Sequence, residues 1–372
     1  MTTIPTPAAI SAPETERYYL ASQRQLIWRK FKRHRLAVVS GVLLVALYAL
    51  AIFADFIAPY DVNTKFTNFL NTPPQVVKWI GAGGVRPYVN GYTRTNDPVS
   101  LAFIFKPDPN LKLPLRFFVH GERHKLFGLI PTDLRLFGVQ DGQVFLFGTD
   151  SLGRDVFSRT VNALRISLFV GLVGVFLSFV LGVFLGGISG YFGGLTDLII
   201  QRLIEFLLSI PTIPLWLALS AALPPTWSSV SVFFGITIIL SLIGWSGIAR
   251  VVRGKFLELR EENFVMAAVI SGATPSRIIL RHLIPSFSSY LIVQITLLIP
   301  NMILGETALS FLGLGIQPPA VSLGTLLQDA QNIRVVSLYP WMLIPALFVV
   351  LIVLAFNFVG DGVRDAADPY KQ

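Results

Sequence analysis

Long runs of apolar residues without charge are the feature that most limits how this chain can fold. The first run, residues 36–54, contains no charged residue and is close to the length of about 20 residues that crosses a bilayer. Only 14% of the 372 residues are charged and 53% are hydrophobic, which is too apolar for a soluble protein of this length. The sequence therefore predicts an all-α polytopic membrane protein.

Six transmembrane helices are predicted from these runs. The first covers residues 36–57, and the others cover residues 164–187, 198–222, 230–250, 284–304 and 339–360. Pro211 and Pro214 lie inside the third span and predict a kink, because proline removes a helical hydrogen bond. A further uncharged run at 307–328 contains two adjacent prolines, so we expect a re-entrant or gate-like external segment rather than a continuous helix.

The distribution of lysine and arginine predicts the orientation. Seven of these residues precede the first span and six lie in the loop at 250–282, whereas the loops at 223–229 and 305–338 carry none and one. Short loops rich in positive charge stay in the cytoplasm, so both termini and the 250–282 loop are predicted to be cytoplasmic. The net charge of +9 then reflects topology signals, and it does not indicate nucleic-acid binding.

The chain divides into five predicted parts. Residues 1–35 form a cytoplasmic N-terminal tail, which is disordered over 1–16 and ends in a basic amphipathic helix on the membrane surface. The other parts are the first transmembrane helix at 36–57, an external insertion at 58–160, a transmembrane core at 161–360 that contains the 250–285 loop, and a cytoplasmic C-terminal tail at 361–372.

The insertion is aromatic and rich in proline and glycine, and its alternating runs predict a small, mostly β subdomain. Residues 113–120 and 144–147 are predicted strands, and residues 120–123 are a predicted turn. His120 and His124 could be imagined as a metal pair, but no carboxylate cluster lies near them in the sequence. We therefore expect solvated or structural histidines, and no metal site is predicted in the chain.

The stretch 264–285 is predicted to form two short helices with a break between them. Gly272 can close the first helix in the left-handed conformation, while Thr274 caps the second helix and Pro275 occupies its first position. Ala267 and Ala268 leave one side of the first helix nearly flat, which suits docking into another protein. An ordinary loop with an amphipathic helix is the alternative, and these residues alone do not separate the two.

Three glycines predict close helix packing. Gly182, Gly186 and Gly190 recur every four residues and place small residues on one helix face, where another helix can approach closely.

The sequence lacks motifs for binding ATP, for catalysis and for binding metals. It contains no phosphate-binding loop, catalytic triad, zinc-ligand spacing or cysteine. The spans hold few ionisable groups, which counts against a secondary transporter or channel driven by an ion gradient. A protein that crosses the membrane six times, moves a solute and cannot bind ATP itself needs an outside energy source. The predicted cytoplasmic 250–285 loop is the sizeable surface through which another protein could supply that energy.

The stretch 264–285 resembles the cytoplasmic EAA loop of permease subunits in ATP-binding-cassette (ABC) importers. The family pattern is E-A-A, three residues, Gly, nine residues and I-x-L-P; here Met266-Ala267-Ala268 is followed by Gly272 and by a Pro285 motif with the same spacing. The departures are Met266 for Glu and His282 for Ile. The resemblance implies helices that couple to the ATPase, with the residues Met266, Ala267, Ala268, Gly272, Ala273, Thr274, Arg277, His282 and Pro285.

Further blocks resemble the dipeptide, oligopeptide and nickel permeases of this family. The run at 148–159 is similar to the signature GTDxxGRDxxSR, and residues 306–315 and 357–365 are similar to the family's C-terminal motifs. We predict that the signature loop is structural, because charge-assisted bonds can fix it at the outer membrane face. Its predicted residues are Gly148, Asp150, Gly153, Arg154 and Asp155.

The resemblance implies a type I ABC importer permease fold and a subunit that forms half of a translocation pathway. The implied partners are a second homologous permease, two ATP-binding subunits, an external substrate-binding protein and the lipid bilayer of a bacterial cytoplasmic (inner) membrane. The partner ATPase subunits would bind ATP and Mg²⁺, so neither a cofactor nor a catalytic residue is expected in this chain. Peptides are the implied substrates, with oligosaccharides or nickel as alternatives.

Overall fold

The computed structural model describes residues 23–81, 84–96 and 103–367. Its helices are α1 (Gln23–Arg33), α2 (Arg35–Ile52), α3 (Ala54–Ile57), α4 (Val156–Phe192), α5 (Gly194–Ser209), α6 (Thr212–Ala221), α7 (Ser229–Leu259), α8 (Asn263–Ile270), α9 (Pro275–Arg277), α10 (Ile284–Ser286), α11 (Ser288–Phe311), α12 (Leu323–Asp329), α13 (Ile333–Leu338) and α14 (Ile344–Ala367). A π-helical turn at Ile278–Leu283 joins α9 to α10, and a 3₁₀ turn at Pro340–Leu343 precedes α14. The predicted disorder of residues 1–16 lies outside the described residues.

Several helices are long and apolar enough to span a membrane. Among the described residues these are α2, α4, α7, α11 and the run Pro340–Ala367, and the bent pair α5–α6 makes a sixth if it counts as one span. The all-α polytopic fold class is therefore confirmed. The main core is built from buried apolar side chains that include Leu47, Leu168, Leu240, Ile303 and Ile352.

The third predicted span is broken rather than merely kinked. Its two halves, α5 and α6, meet at an angle of 87°. Ile210, at the end of α5, is extended with ψ of 130°, because the residue before a proline avoids the helical conformation. Pro211 follows and has no N–H to continue the helical hydrogen bonds. The proline therefore ends one helix and allows another to start in a new direction.

Four helices extend beyond their predicted ends. α4 begins at Val156 rather than 164, α7 continues to Leu259 rather than 250, α11 continues to Phe311 rather than 304, and α14 continues to Ala367 rather than 360. The predicted ends were placed near charged residues, where apolar spans stop. A helix satisfies its own backbone hydrogen bonds, however, and it can continue beyond its apolar part. The start of the 250–285 loop and the start of the C-terminal tail are therefore helical.

The insertion contains the predicted β structure. Its strands are β1 (Lys78–Gly81), β2 (Gly84–Asn96), β3 (Phe103–Pro114), β4 (Arg116–Leu126) and β5 (Ile130–Gly138). The order β1-β2-β3 forms one antiparallel sheet, and β4 pairs with β5 in a second.

Two details of the predicted β structure are wrong. The strand predicted at 113–120 is divided between two sheets, because β3 ends at Pro114 and β4 begins at Arg116. The turn predicted at 120–123 is an irregularity inside β4, where the register with β5 shifts between His120 and His124. A bulge accommodates these polar residues without reversing the chain, which turns at 127–129 instead.

The described segment 144–147 is not a strand, although we predicted one. The Val144 N–H donates to the Tyr60 hydroxyl at 2.8 Å, and the Phe145 N–H donates to Oε1 of Gln75 at 2.7 Å. Side chains therefore accept the hydrogen bonds that a neighbouring strand would accept. Val144 and Phe145 are both buried, which explains why their apolar pattern suggested a strand.

The uncharged run at 307–328 is not a continuous helix, in agreement with its proline content. α11 ends at Phe311, and α12 starts only at Leu323. Ser322 caps α12, since its hydroxyl accepts from the Thr325 N–H and the Thr325 hydroxyl accepts from the Ser322 N–H. The chain therefore folds back between two helices at this point.

The three glycines of the predicted packing face lie against α7. A Cβ atom at Gly182 would come within 2.6 Å of Ile248 Cβ, and one at Gly190 would come within 2.7 Å of Phe256 Cβ. At Gly186 a Cβ atom would overlap the backbone of Ala249. Without side chains at these positions, α4 and α7 approach backbone to backbone.

We expect Gly186→Val to destabilise the protein by pushing α4 away from α7. Overpacking costs about 1–3 kcal/mol, and the backbone of Ala249 cannot move aside as a flexible side chain can. The measurement is the thermal unfolding temperature in detergent, which should fall. Gly247→Val is the matched control, because a Cβ at Gly247 has no atom within 4 Å. An equal decrease in both variants would contradict the packing role.

Candidate functional site

The segment at 263–286 folds as a helix, a break and a second helix. Gly272 follows α8 with φ of +78°. The Gly272 N–H donates to Val269 O at 2.9 Å, and the Ala273 N–H donates to Ala268 O at 3.0 Å. These are the two hydrogen bonds of a Schellman motif. The left-handed backbone at Gly272 therefore closes α8 as predicted, and a residue without Cβ adopts it at no steric cost.

The second half of the segment begins with Pro275 in the first turn of α9. Thr274 has the extended backbone of an N-cap, but its side chain makes no capping hydrogen bond, so the predicted side-chain cap is wrong. Its hydroxyl lies 3.3 Å from the Ser276 hydroxyl instead. The helix then widens to a π turn, in which the Ile284 N–H donates to Ile279 O. Pro285 follows directly and has no N–H for a normal α-helical bond.

The segment has one buried face and one exposed face. The buried face packs on the end of α7 through the apolar side chains of Val265, Ile278 and Leu283, which lie with Ile248, Val252 and Phe256 in one cluster. The exposed face carries Met266, Val269 and Ile270, whose side chains are 50%, 50% and 84% exposed. An exposed apolar face on a firmly anchored element is typical of a surface that binds another protein.

The nine residues predicted for this site all lie on this segment. Six of them are exposed, namely Met266, Ala267, Gly272, Thr274, Arg277 and Pro285. Ala268, Ala273 and His282 are half-buried, and the two alanines pack on the cluster below α8. The predicted set therefore contains both the exposed surface and part of its support.

An ion pair that the sequence analysis missed supports the end of α7. Arg253 binds Asp197 in a bidentate manner, with Nε 2.5 Å from Oδ1 and Nη2 2.6 Å from Oδ2. The Ser189 hydroxyl also donates to Asp197. Bidentate arginine–carboxylate pairs are strong and orient both groups. The pair ties the first turn of α5 to α7, the helix that precedes α8. The two residues are 56 positions apart in the sequence, so no local pattern pointed to the pair.

The opposite end of α4 carries a second polar cluster, built around the predicted Asp150 and Arg154. The Asp150 carboxylate accepts from Arg154 Nε at 2.7 Å and from Arg159 Nη1 at 2.6 Å. Asp329 of α12 accepts from the same two arginines, at 3.2 Å from Arg154 and 2.8 Å from Arg159. Arg159 and Asp150 are almost completely buried. The cluster therefore joins the start of α4 to α12, and Asp329 was not predicted.

The other predicted signature residues shape the loop before α4. Gly148 and Gly153 have φ of +74° and +75°, and a Cβ at either would collide with the backbone of residue 72 or 66. Asp155 caps α4, since its carboxylate accepts from the Ser158 N–H at 2.8 Å and from the Ser158 hydroxyl at 2.6 Å. Burial raises the pKa of Asp155 to about 7, although the hydrogen bonds from Ser158 oppose that shift.

Glu306 is a third buried polar group that the sequence analysis did not select as a site residue. Its carboxylate accepts from the Ser167 hydroxyl at 2.9 Å and from the Ser310 hydroxyl at 2.7 Å. The Ser167 hydroxyl also accepts from the Leu323 N–H at the start of α12. Glu306 and Ser167 thus connect α11, α4 and α12. The sequence signal that could have identified Glu306 is its position as a lone glutamate between two apolar runs.

α4 connects the two ends of the molecule. Asp155 precedes its first residue, and the face of Gly186 and Gly190 contacts α7 near its last turns. At a rise of 1.5 Å per residue, about 48 Å separates Asp155 from Gly187 along this helix. The cluster around Asp150 and the surface of α8 therefore lie at opposite ends of one rigid element.

Two family models match the chain. One is described as the inner membrane component of binding-protein-dependent transport systems and matches residues 182–371. The other is described as the N-terminal transmembrane domain of oligopeptide transport permease C and matches residues 22–74. The matched ranges include α8, Gly272 and the helices around them.

Similar proteins include peptide permeases. The oligopeptide transport system permease protein OppC of Bacillus subtilis (strain 168) is 31% identical over 370 residues, which cover 98% of this chain and 95% of the relative. The dipeptide transport system permease protein DppC of the same organism is 32% identical over 349 residues, which cover 94% of this chain and 86% of the relative. Among solved structures, a chain of the MetNI methionine ABC transporter in an inward-facing conformation has a TM-score of 0.44 and 20% identity, covering 56% of this chain and 97% of that chain.

Proposed function

Because this chain belongs to the family of permease proteins of binding-protein-dependent ABC transport systems, we propose that it is one of two permease subunits of an ATP-driven peptide importer. It forms half of the pathway through the membrane. The second half comes from a homologous permease, two ATP-binding subunits supply the energy, and an external binding protein delivers the substrate. The similarity to permeases of oligopeptides and dipeptides over almost the whole chain supports peptides as the substrate class.

The exposed apolar face of α8 is the observation that supports a role in coupling this chain to the ATPase subunits. Met266, Val269 and Ile270 present apolar side chains beside the charged residues Glu261 and Glu262. The family pattern has a glutamate where Met266 stands, so this chain holds its ATPase by shape and apolar contact at that position. Buried apolar contact is the usual centre of a protein interface, and charged residues form its rim.

Movement of α8 can reach the rest of the molecule through rigid contacts. The cluster around Val265 attaches α8 to α7, and the pair of Arg253 with Asp197 attaches α7 to the start of α5. α4 packs along α7 and carries the cluster around Asp150 at its other end. We propose that closure of the ATPase pair pushes α8 and rocks these helices between two packed states.

The orientation follows from this role. α8 lies on the cytoplasmic side of a bacterial inner membrane, where the ATPase subunits bind ATP and Mg²⁺. Both termini then lie in the cytoplasm, and the β insertion lies outside, on the side from which the binding protein delivers substrate. Cluster residues Asp150, Arg154 and Arg159 belong to the external end of the pathway.

The proposal is tested by purifying the complex through a tag on this chain and reconstituting it in proteoliposomes. With ATP on the side of α8, we expect uptake of a radiolabelled peptide that depends on the copurified binding protein and stops with vanadate. A labelled oligosaccharide and labelled Ni²⁺ serve as alternative substrates. Uptake of either one, without uptake of the labelled peptide, would replace the substrate class. Uptake without any ATPase subunit would overturn the ATP-driven mechanism.

A further inference from the structure

The hairpin formed by β4 and β5 carries large apolar side chains that stay exposed in the part of the chain that the structure describes. Leu129 and Ile130, at its turn, are 81% and 57% exposed. Phe118 and Phe127 are 64% and 46% exposed, and both have positive φ, at 56°. A patch of this kind is unusual on a domain surrounded by water, and it indicates contact with an apolar environment.

The hairpin is fastened to the end of the first membrane helix. Arg135 of β5 is buried, and its Nη1 donates to Asp55 O at 2.8 Å and to Ala58 O at 2.9 Å. An arginine that binds the last carbonyls of a helix satisfies groups that have no helical partner. The end of α3 therefore fixes the position of the hairpin relative to α2.

Aromatic contacts define that position more closely. The ring of Phe127 lies 5.7 Å from the ring of Phe53, which directly follows α2. The ring of Phe118 lies 6.2 Å from the ring of Phe56 in α3. Two residues of the hairpin are thus in contact with the end of the membrane helix itself.

The length of α2 shows where this contact lies in the bilayer. Arg35 is the first residue of α2, and the basic α1 precedes it, so this end lies at one membrane surface. Phe53 is 18 residues further along, which is about 27 Å at the helical rise of 1.5 Å per residue. The hydrocarbon core is about 30 Å thick. Phe53, and with it Phe127, therefore lies at the opposite edge of the hydrocarbon core.

The apolar surface is continuous between the helix and the hairpin. α2 exposes Val39, Val42 and Val45 by 65–70% and Ile52 by 41%, and Phe53 directly after it is 46% exposed. This surface leads directly to Phe127 at the contact with Phe53. Exposed Arg123 and Lys125 stand on β4 beside the turn, where they can meet lipid phosphate groups.

We infer that the tip of the β4–β5 hairpin inserts into the bilayer interface next to the end of α2, so that the insertion is held at the membrane by lipid as well as by the chain. The lipid surface therefore covers the apolar patch of the hairpin. The inference rests on α2 spanning a membrane and not on the proposed transport activity, so the two can fail separately.

Because the chain contains no cysteine, a single cysteine can report on this contact. Leu129→Cys places a bimane label at the hairpin tip, and Leu111→Cys on β3 is the matched control, since Leu111 is also exposed but lies in the other sheet. Both variants are purified as full chains in their complex and reconstituted with lipids that are brominated in the acyl chains. We expect the label at 129 to lose about half of its fluorescence, because interfacial segments lie about 5–10 Å deep, and the label at 111 to lose almost none.

Quenching by aqueous iodide distinguishes lipid from water or a protein surface around the label. If iodide quenches the label at 129 as strongly as a free bimane conjugate, the tip lies in water and the inference is overturned. If neither iodide nor brominated lipid quenches it, a protein surface covers the tip, and the inference is overturned in favour of a partner subunit. Quenching by brominated lipid alone supports the inference.

Discussion

Replacing Gly272 with leucine is expected to abolish peptide uptake while the protein still inserts and unfolds at a nearly normal temperature. Gly272 has φ of +78°, and an L-residue in that conformation costs about 1–2 kcal/mol. A Cβ at this position meets no atom within 4 Å, so the leucine side chain projects outward beside α8. It therefore obstructs the surface that we assign to the ATPase without disturbing the core.

The measurements are peptide uptake and substrate-stimulated ATP hydrolysis by the reconstituted complex. Gly272→Asn separates strain from bulk, since asparagine tolerates the left-handed conformation better than other residues, and it should keep part of the activity. Gly254→Leu is the matched control, because Gly254 is exposed on α7 with open space around it and an ordinary helical backbone. Full uptake by Gly272→Leu would exclude coupling through this surface.

Removing the carboxylate of Asp150 is expected to have the largest effect on stability. Asp150 and Arg159 have side-chain exposures of 1% and 4%, and Asp150 also accepts from the N–H groups of Leu152 and Arg154. In Asp150→Ala the buried Arg159 keeps only the half-buried Asp329 as a partner. Breaking a buried ion pair by removing one member costs about 3–5 kcal/mol, so we expect a strongly lowered unfolding temperature and little folded protein.

Three further variants make this test specific. Asp329→Ala should cost less, because the Asp329 side chain is 35% exposed and water can replace it. Asp141→Ala removes an exposed carboxylate of the same insertion and should leave stability unchanged. The double variant Asp150→Ala with Arg159→Met should be more stable than Asp150→Ala alone, since no unpaired buried charge remains. Native stability in Asp150→Ala would show that the cluster does not hold α4 to α12.

Local patterns were sufficient wherever the structure depends on local chemistry. Uncharged runs located the membrane helices, because a chain in lipid must satisfy its own backbone hydrogen bonds and does so as a helix. The break at Gly272 and Pro275 was predicted correctly, since a left-handed glycine and a proline in the first turn constrain the backbone at their own positions. The predicted side-chain cap at Thr274 failed because its hydroxyl faces Ser276 instead.

Helix ends were predicted less well, for a physical reason. Charged residues marked the edges of apolar runs, but α7 continues through Arg253, whose charge is paired with Asp197. In the insertion, the apolar segment at Val144 was predicted as a strand, whereas Tyr60 and Gln75 accept its backbone hydrogen bonds. Burial and pairing of these segments depend on residues far away in the sequence.

The sequence by itself determined that this chain is a polytopic membrane protein with a helix-break-helix segment at 264–285, because hydropathy and backbone preferences act over a few neighbouring residues. Only the tertiary structure decided that Asp329 joins the charged cluster, since it meets Arg154 and Arg159 across 175 and 170 residues of chain. It also decided where the β4–β5 hairpin stands. Arg135 binds carbonyls at the end of α3, 77 to 80 residues earlier, and that contact depends on the folded path of the chain between them.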